Sequence, residues 1–217
     1  MRYAPPWFLG LCRPILWLLA RLLFRIRFHG AEHVPRSGPV LLAPNHVSYL
    51  DPILVTMPIR RPLYYIAWEP FFRIPVLGAL MRWARAFPVR EDEVNSQAVR
   101  RALRLLQSGE ALMVFPEGGR TVDGRLQAFR SGAFRLALAA DAPIVPVTIA
   151  GAFEVWPVGR RWPRPGRVTI TYHPPLTGKD LPSGAARKAR PELMVELARQ
   201  RIAAVLPPSP QHEESVE

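Results

Sequence analysis

The stretch "NHVSYLDP", residues 45 to 52, sets an imidazole, His46, five positions before a carboxylate, Asp51. An imidazole titrates near neutral pH, so it can take a proton from an attacking hydroxyl and later return it to a leaving group. It does so best when a carboxylate fixes its second ring nitrogen. Asp51 has a competing role, because Asp before Pro52 is also an ordinary helix start, with Asp as N-cap and Pro at the first helical position. On an ideal helix five residues turn about 500°, roughly 140° off the starting face, so His46 and Asp51 meet only if the chain turns between them. Spacing alone leaves both roles open. They are compatible if one carboxylate oxygen caps the helix while the other holds His46.

A second stretch, "FPEGGRT" at 115 to 121, follows an apolar run. Glycines after a strand let backbone N–H groups approach an anion closely, and Arg120 adds a fixed charge with forked donors. This chemistry suits a phosphate; a plain glycine turn is the rival. Gly119 to Gly124 has a Walker-like spacing, but Arg125-Leu126 stands where Lys-Ser/Thr is required, so a nucleotide P-loop is rejected. Two other resemblances to motifs fail on context. "HGAEH" (29 to 33) matches a zinc pattern that needs a helix, yet Gly30 follows an alternating strand and Pro35 closes the segment. Ser48 lies near His46 and Asp51, but no G-x-S-x-G elbow presents it, so a hydrolase triad is the lesser reading.

These residues need a frame to bring them together. A 217-residue chain that is 49% hydrophobic is long enough for one buried core and short for two ordinary domains. The formal charge is +12, and all but two of the 29 basic residues are arginine. Arginine's planar fork suits phosphate, so anionic partners are expected: phospholipid, phosphorylated small molecules or nucleic acid. Dispersed arginines and the lack of a nucleic-acid motif argue against the last. Cys12 is the single cysteine, which excludes an intrachain disulfide and a cysteine metal cluster.

The N-terminal "WFLGLCRPILWLLARLLF" is apolar but broken by Arg13, Pro14 and Arg21, too short for a spanning helix. Leu11, Ile15, Leu18, Leu19 and Leu22 keep helical spacing with the arginines off their centre, which suits a helix lying in a membrane interface. "FRIRFHG" alternates as a half-buried strand, and "PVLLAP", "LYYIAW", "ALMVFPEGG", "PIVPVTI" and "RVTITYH" read as further strands. Between them, helices are expected from Pro52, over 70 to 84, over "SQAVRRALRLLQSG" with Val99, Ala102, Leu103 and Leu106 inward, near 131 to 140, and over 191 to 205. The fold class is therefore α/β, a mixed β-sheet flanked by helices, with an N-terminal amphipathic membrane-interface helix. Residues 1–23 form the interfacial segment, 24–206 the catalytic domain and 207–217 a disordered tail. The "PNH" and "FPEGG" stretches both fall at strand carboxyl ends, where open α/β sheets place ligands. The loop "VWPVGRRWPRPGR" (155 to 167) either touches membrane or covers the sheet.

Taken in order, these blocks resemble the glycerolipid acyltransferase family typified by 1-acylglycerol-3-phosphate acyltransferase. Its N-H-x-x-x-x-D block matches Asn45, His46 and Asp51; "AFPVR" with Arg90 is similar to the second block; "FPEGGRT" resembles F-P-E-G-T-R-S; "IVPVTI" with Pro146 resembles the fourth. "FRSGAF" is similar to F-K-x-G-A, with Arg130 for lysine. An ordered set is far more specific than a single motif. The resemblance implies acyl transfer from acyl-CoA or acyl carrier protein to a lysophospholipid hydroxyl, with no metal and no cofactor. It implies catalytic roles for His46 and Asp51 and substrate binding by Asn45, Arg90, Glu117, Gly118, Gly119 and Arg120. An anionic membrane surface at the cytoplasmic face is the expected setting. Gly119 and Thr121 depart from the family's threonine and serine, so acceptor identity is less defined than reaction type. The competing class is a basic lipid- or nucleic-acid-binding protein without catalysis. The second anion-binding block shifts the reading of Asp51 toward catalysis.

Overall fold

The computed structural model describes residues 14, 17–89 and 96–207. Arg90, the rest of the N-terminal segment (with Leu11 and Ile15) and the tail from 208 lie outside the described residues.

A seven-stranded sheet runs β1-β7-β6-β2-β5-β3-β4. The strands are β1 (Arg27–His29), β2 (Val40–Pro44), β3 (Leu63–Trp68), β4 (Ala86–Val89), β5 (Ala111–Met113), β6 (Ile144–Ala150) and β7 (Thr169–Tyr172). Neighbours are parallel except β6 and β7, so the sheet is mixed, as the alternation of elements predicts. The central strand β2 is buried on both sides: Val40 and Leu42 enter one core, Leu41 and Ala43 the other. That is why "PVLLAP" is continuously apolar.

Helices cover both faces. They are α1 (residues 17–24), α2 (Asp51–Thr56), α3 (Pro75–Trp83), α4 (Ser96–Gln107), α5 (Gly132–Ala139), α6 (Ala152–Val155) and α7 (Arg190–Ala203). Ala20 and Phe24 of α1, Leu54 and Val55 of α2 and Ala152 and Val155 of α6 fill the first core. Ala102 and Leu106 of α4, Phe134 of α5 and Met194 of α7 fill the second. Chain direction explains the division. The connections through α2 and α3 step toward the β4 edge, whereas those through α4 and α5 step back toward β6. Right-handed crossovers put the two pairs on opposite faces, so α3 shares the layer of α1 and α2.

Several elements differ in detail from their sequence patterns. "FRIRFHG" keeps the burial alternation at Phe24 and Ile26, but only Arg27–His29 pairs, because α1 runs to residue 24 and Arg25 turns the chain at φ 40°. Pro75 does not interrupt a helix over 70 to 84; it begins α3 after a 3-10 turn at Glu69–Arg73, since a first-turn proline lacks only an N–H that has no helical partner. On α4 the buried seam runs through Ala98, Ala102 and Leu106, and Val99 faces solvent.

Gly151, following β6, has φ 82°, and a Cβ there would lie 2.0 Å from the Arg167 carbonyl oxygen. Gly159 has φ 86° but open space around it. Left-handed geometry penalises both, and backbone overlap penalises only the first. Gly151→Ala is therefore expected to destabilise by about 2–4 kcal/mol and Gly159→Ala by about 1–2 kcal/mol. Thermal melts of the two variants check the ranking.

Candidate active site

The loop leaving β2 turns tightly enough for His46 and Asp51 to meet. His46 Nδ1 lies 2.8 Å from Asp51 Oδ2. The same oxygen accepts from the backbone N–H groups of Val47 at 2.7 Å and Ser48 at 2.8 Å. Leu50, not Asp51, is the N-cap of α2, and Asp51 and Pro52 open its first turn. The carboxylate thus reaches backward over the loop instead of forward into the helix. The expected division between two oxygens does not occur: three contacts converge on Oδ2, and buried Oδ1 has no partner.

An ionised acceptor at this distance puts the hydrogen on His46 Nδ1 and leaves Nε2 as the basic nitrogen. Among the described residues the single buried side-chain polar atom without a partner is Asp51 Oδ1, so Nε2 reaches solvent. Phe115 stacks on the imidazole with ring centroids 3.8 Å apart. The aromatic face covers one face of the imidazole and limits its rotation.

The "FPEGGRT" loop leaves the neighbouring strand β5 and is laced to the His46 loop. Glu117 Oε1 accepts the His46 N–H at 2.8 Å, and its Oε2 accepts from Gln127 N at 3.2 Å. The Thr121 N–H donates to the His46 carbonyl at 3.0 Å. Residues 117–123 and 127–130 line an open cleft of about 550 Å³. His46 does not itself line this cleft; its backbone is bonded to Glu117 and Thr121, which do. Arg120 lies over the Tyr49 ring, 3.8 Å from its centroid, and Tyr49 meets Trp156 at 5.3 Å.

Each expected site residue among the described residues has a definite place. Gly118 (φ 79°) and Gly119 stand exposed at the cleft, and any Cβ on Gly118 would come 2.9 Å from the Arg130 guanidinium carbon. Glu117 is buried between loops, which gives it a bracing role. Asn45, expected among the binding residues, is buried with both amide atoms committed: Nδ2 donates to the Ile149 carbonyl at 3.0 Å and Oδ1 accepts the Ile149 N–H at 2.7 Å. Its side chain extends the β2–β6 pairing from a buried position. Arg130, carried here by the loop before α5, is a cleft residue that spacing did not point to; the resemblance of "FRSGAF" was its one signal. Tyr49 and Trp156 carried no motif at all. Ser48 is buried and donates its hydroxyl to the Trp156 carbonyl at 2.9 Å. His33 Nδ1 bonds the Tyr172 carbonyl at 2.8 Å from a 3-10 turn, which accounts for the zinc-like spelling structurally.

Burial, the largest cause, pushes the Glu117 carboxyl up to about 7; its two N–H donors pull it down, the Asp51 charge adds to the rise and Arg199 opposes it. At neutral pH this group stands between its two protonation states.

The acyltransferase family model matches residues 25–150 of this chain, a range that holds the His46–Asp51 loop and the glycine-arginine cleft. The chain belongs to the acyltransferase family. It is similar to the chloroplastic 1-acyl-sn-glycerol-3-phosphate acyltransferase LPAT1 of Arabidopsis thaliana, 31% identical over 71% of this chain and 44% of that protein. The 1-acyl-sn-glycerol-3-phosphate acyltransferase of Chlamydomonas reinhardtii is 31% identical over 89% of this chain and 57% of its own length. The chain thus spans about half the length of the curated relatives it matches. Among solved structures, the 1-acyl-sn-glycerophosphate acyltransferase PlsC from Thermotoga maritima superposes with a TM-score of 0.74 at 24% identity, covering 91% of this chain and 79% of that one, which establishes the shared fold.

The raised Glu117 carboxyl has a definite sign in stability. Between its unfolded value of 4.5 and about 7 the folded state holds the proton more tightly. Its contribution is full below the unfolded value and is lost as pH rises through this window. Glu117→Gln removes the titration, so the variant gains on the parent by up to about 3 kcal/mol between the lower and upper ends. Urea unfolding of both proteins across the window measures the difference.

Proposed function

We propose that the protein transfers a fatty acyl group from an acyl thioester, acyl-CoA or acyl carrier protein, to the free hydroxyl of a lysophospholipid. The acceptor that fits best is 1-acylglycerol-3-phosphate, giving phosphatidic acid. The observation that carries this is the His46–Asp51 pair, which occupies Nδ1 and leaves Nε2 free, on a loop whose backbone is bonded to Glu117 and Thr121 of a cleft that Arg120 and Arg130 also line.

The chemistry follows from that arrangement. Nε2 takes the proton of the acceptor hydroxyl as its oxygen attacks the thioester carbonyl. Asp51 stabilises the imidazolium that forms. Collapse of the tetrahedral intermediate breaks the carbon–sulfur bond, and the imidazolium returns the proton to the departing thiolate. Arg120 and Arg130 are suited to hold the acceptor phosphate by forked, charge-assisted hydrogen bonds, with Gly118 and Gly119 allowing close approach. Arg90 belongs to the same reading through its block. The reaction calls for no metal or cofactor.

The setting in this reading is a peripheral or monotopic attachment to an anionic membrane at its cytoplasmic face, where a lipid acceptor and a water-soluble donor meet. No helix of the described residues is long and apolar enough to cross a membrane. A thioesterase using Ser48 is disfavoured, because that hydroxyl is buried and committed to Trp156.

The test uses the full chain, labelled acyl-CoA and acyl carrier protein in separate arms, and a panel of lysolipids. His46→Ala is expected to lower transfer about a thousandfold while far-UV dichroism stays unchanged, in line with loss of a general base. Transfer at the parental rate in that variant, or acyl release to water in place of transfer, would overturn the reading. Asp51→Asn keeps an acceptor oxygen but removes the charge. It is expected to lower kcat on the order of a hundredfold or more, by analogy with triad carboxylates. A melting midpoint within a few degrees of the parent, measured alongside, separates this from loss of fold.

A further inference from the structure

The loop between α6 and β7 is the arginine-, tryptophan- and proline-rich segment that the transfer chemistry leaves unused. Backbone bonds fix its course. Arg164 N donates to the Val155 carbonyl at 3.0 Å, and Trp156 Nε1 donates to the Arg160 carbonyl at 2.9 Å. The loop then joins the end of α1, where Gly166 N and Val168 N donate to the carbonyls of Leu23 and Phe24 at 3.1 and 3.0 Å.

This ordered loop turns its least water-compatible group outward. Trp162 is 70% exposed, and Arg160, Arg161, Arg164 and Arg167 around it are exposed as well. Among the described residues no carboxylate pairs with Arg160, Arg161 or Arg167. Next to it α1 presents Leu18, Leu19, Leu22 and Leu23, each between 45% and 68% exposed, opposite or flanking its buried Ala20 and Phe24. The same helical layer continues to α3, whose Val76 is 82% exposed. The opposite layer differs, since among the described residues Val99 is the one large exposed hydrophobic on α4, α5 or α7. An apolar surface set among unpaired arginines matches the boundary between anionic headgroups and acyl chains, where tryptophan settles.

We propose that this loop and the outer face of α1 are the surface by which the protein docks on an anionic phospholipid bilayer. Trp162 and the α1 leucines enter the acyl boundary, and the loop arginines contact lipid phosphates. The proposal rests on the acyltransferase reading only in explaining why this surface adjoins the site. There the path is short: Trp156 at the base of the loop touches Tyr49, which carries Arg120. Docking would set Arg120 near headgroup depth, beside the phosphate of a lipid acceptor still held in the membrane.

The experiment is co-sedimentation of the full chain with vesicles of phosphatidylcholine alone or mixed with phosphatidylglycerol, at low and high salt. The parent is expected to bind the mixed vesicles, less so at high salt. The Arg160→Glu/Arg161→Glu variant should lose on the order of a hundredfold in partitioning, at the scale of one basic side chain per anionic surface contact. Trp162→Ser should weaken binding in both salt conditions, and Arg104→Glu on the opposite layer should leave it unchanged. Loop variants that bind like the parent would overturn the proposal. So would a parent dimer in gel filtration that Trp162→Ser dissociates, because the surface would then be covered by a second copy. With a short-chain lysolipid monomeric in solution, the loop variants should retain parental turnover. Absence of transfer in every protein would count against the acyltransferase reading alone, since vesicle binding is measured without turnover.

Discussion

One buried oxygen, Asp51 Oδ2, organises the site. Accepting from His46 Nδ1 and from two successive backbone N–H groups, it determines both the path of the loop after β2 and the tautomer of the imidazole. The three donors stabilise the charge of a carboxylate that burial alone would penalise. The histidine is thereby delivered with one nitrogen occupied and the other open, which is the condition for shuttling a proton. The unpartnered Oδ1 is the unfavourable side of this arrangement.

Around this centre the sheet supplies rigidity through side chains that imitate backbone. Asn45 continues the β2–β6 ladder by exchanging two hydrogen bonds with Ile149, so the chain enters the His46 turn from a fixed direction. On the other side of β2, Glu117 and Thr121 bond the backbone of His46 itself and tie it to the loop leaving β5. The histidine is thus held by both neighbours of its strand. The parallel order of β6, β2 and β5 makes this possible, because it brings their carboxyl ends to one edge. The same crossovers that build that order sort the helices into two layers, one with polar outer faces and one that leaves leucines, a valine and a tryptophan in water.

The secondary elements were largely legible from period. Alternation marked the strand region near Ile26, continuous apolarity marked β2 and β5, and helical spacing marked α4. The misses have local causes. Arg25 adopts a left-handed conformation that ends α1 and delays β1, and nothing in an arginine announces that. Val99 sits within the arc that α4 could bury, but the neighbours on the sheet select Ala98 instead.

For the site, residue type and spacing by themselves supplied the elements of the proposed chemistry: a histidine five residues before an aspartate, a glycine-arginine loop after a strand, and an order of blocks that resembled one family. They also determined that a turn was required, since five helical residues diverge by roughly 140°. Which atom does what was decided only in three dimensions. Sequence could not assign both cap and partner roles of Asp51 to a single oxygen or move the cap to Leu50, because both depend on where the loop backbone points its N–H groups. Nor could it show that Asn45 bonds Ile149 across the sheet, that Arg130 reaches Gly118, or that Tyr49 meets Trp156. Their partners lie far along the chain, and such contacts follow from strand order, which local patterning does not encode.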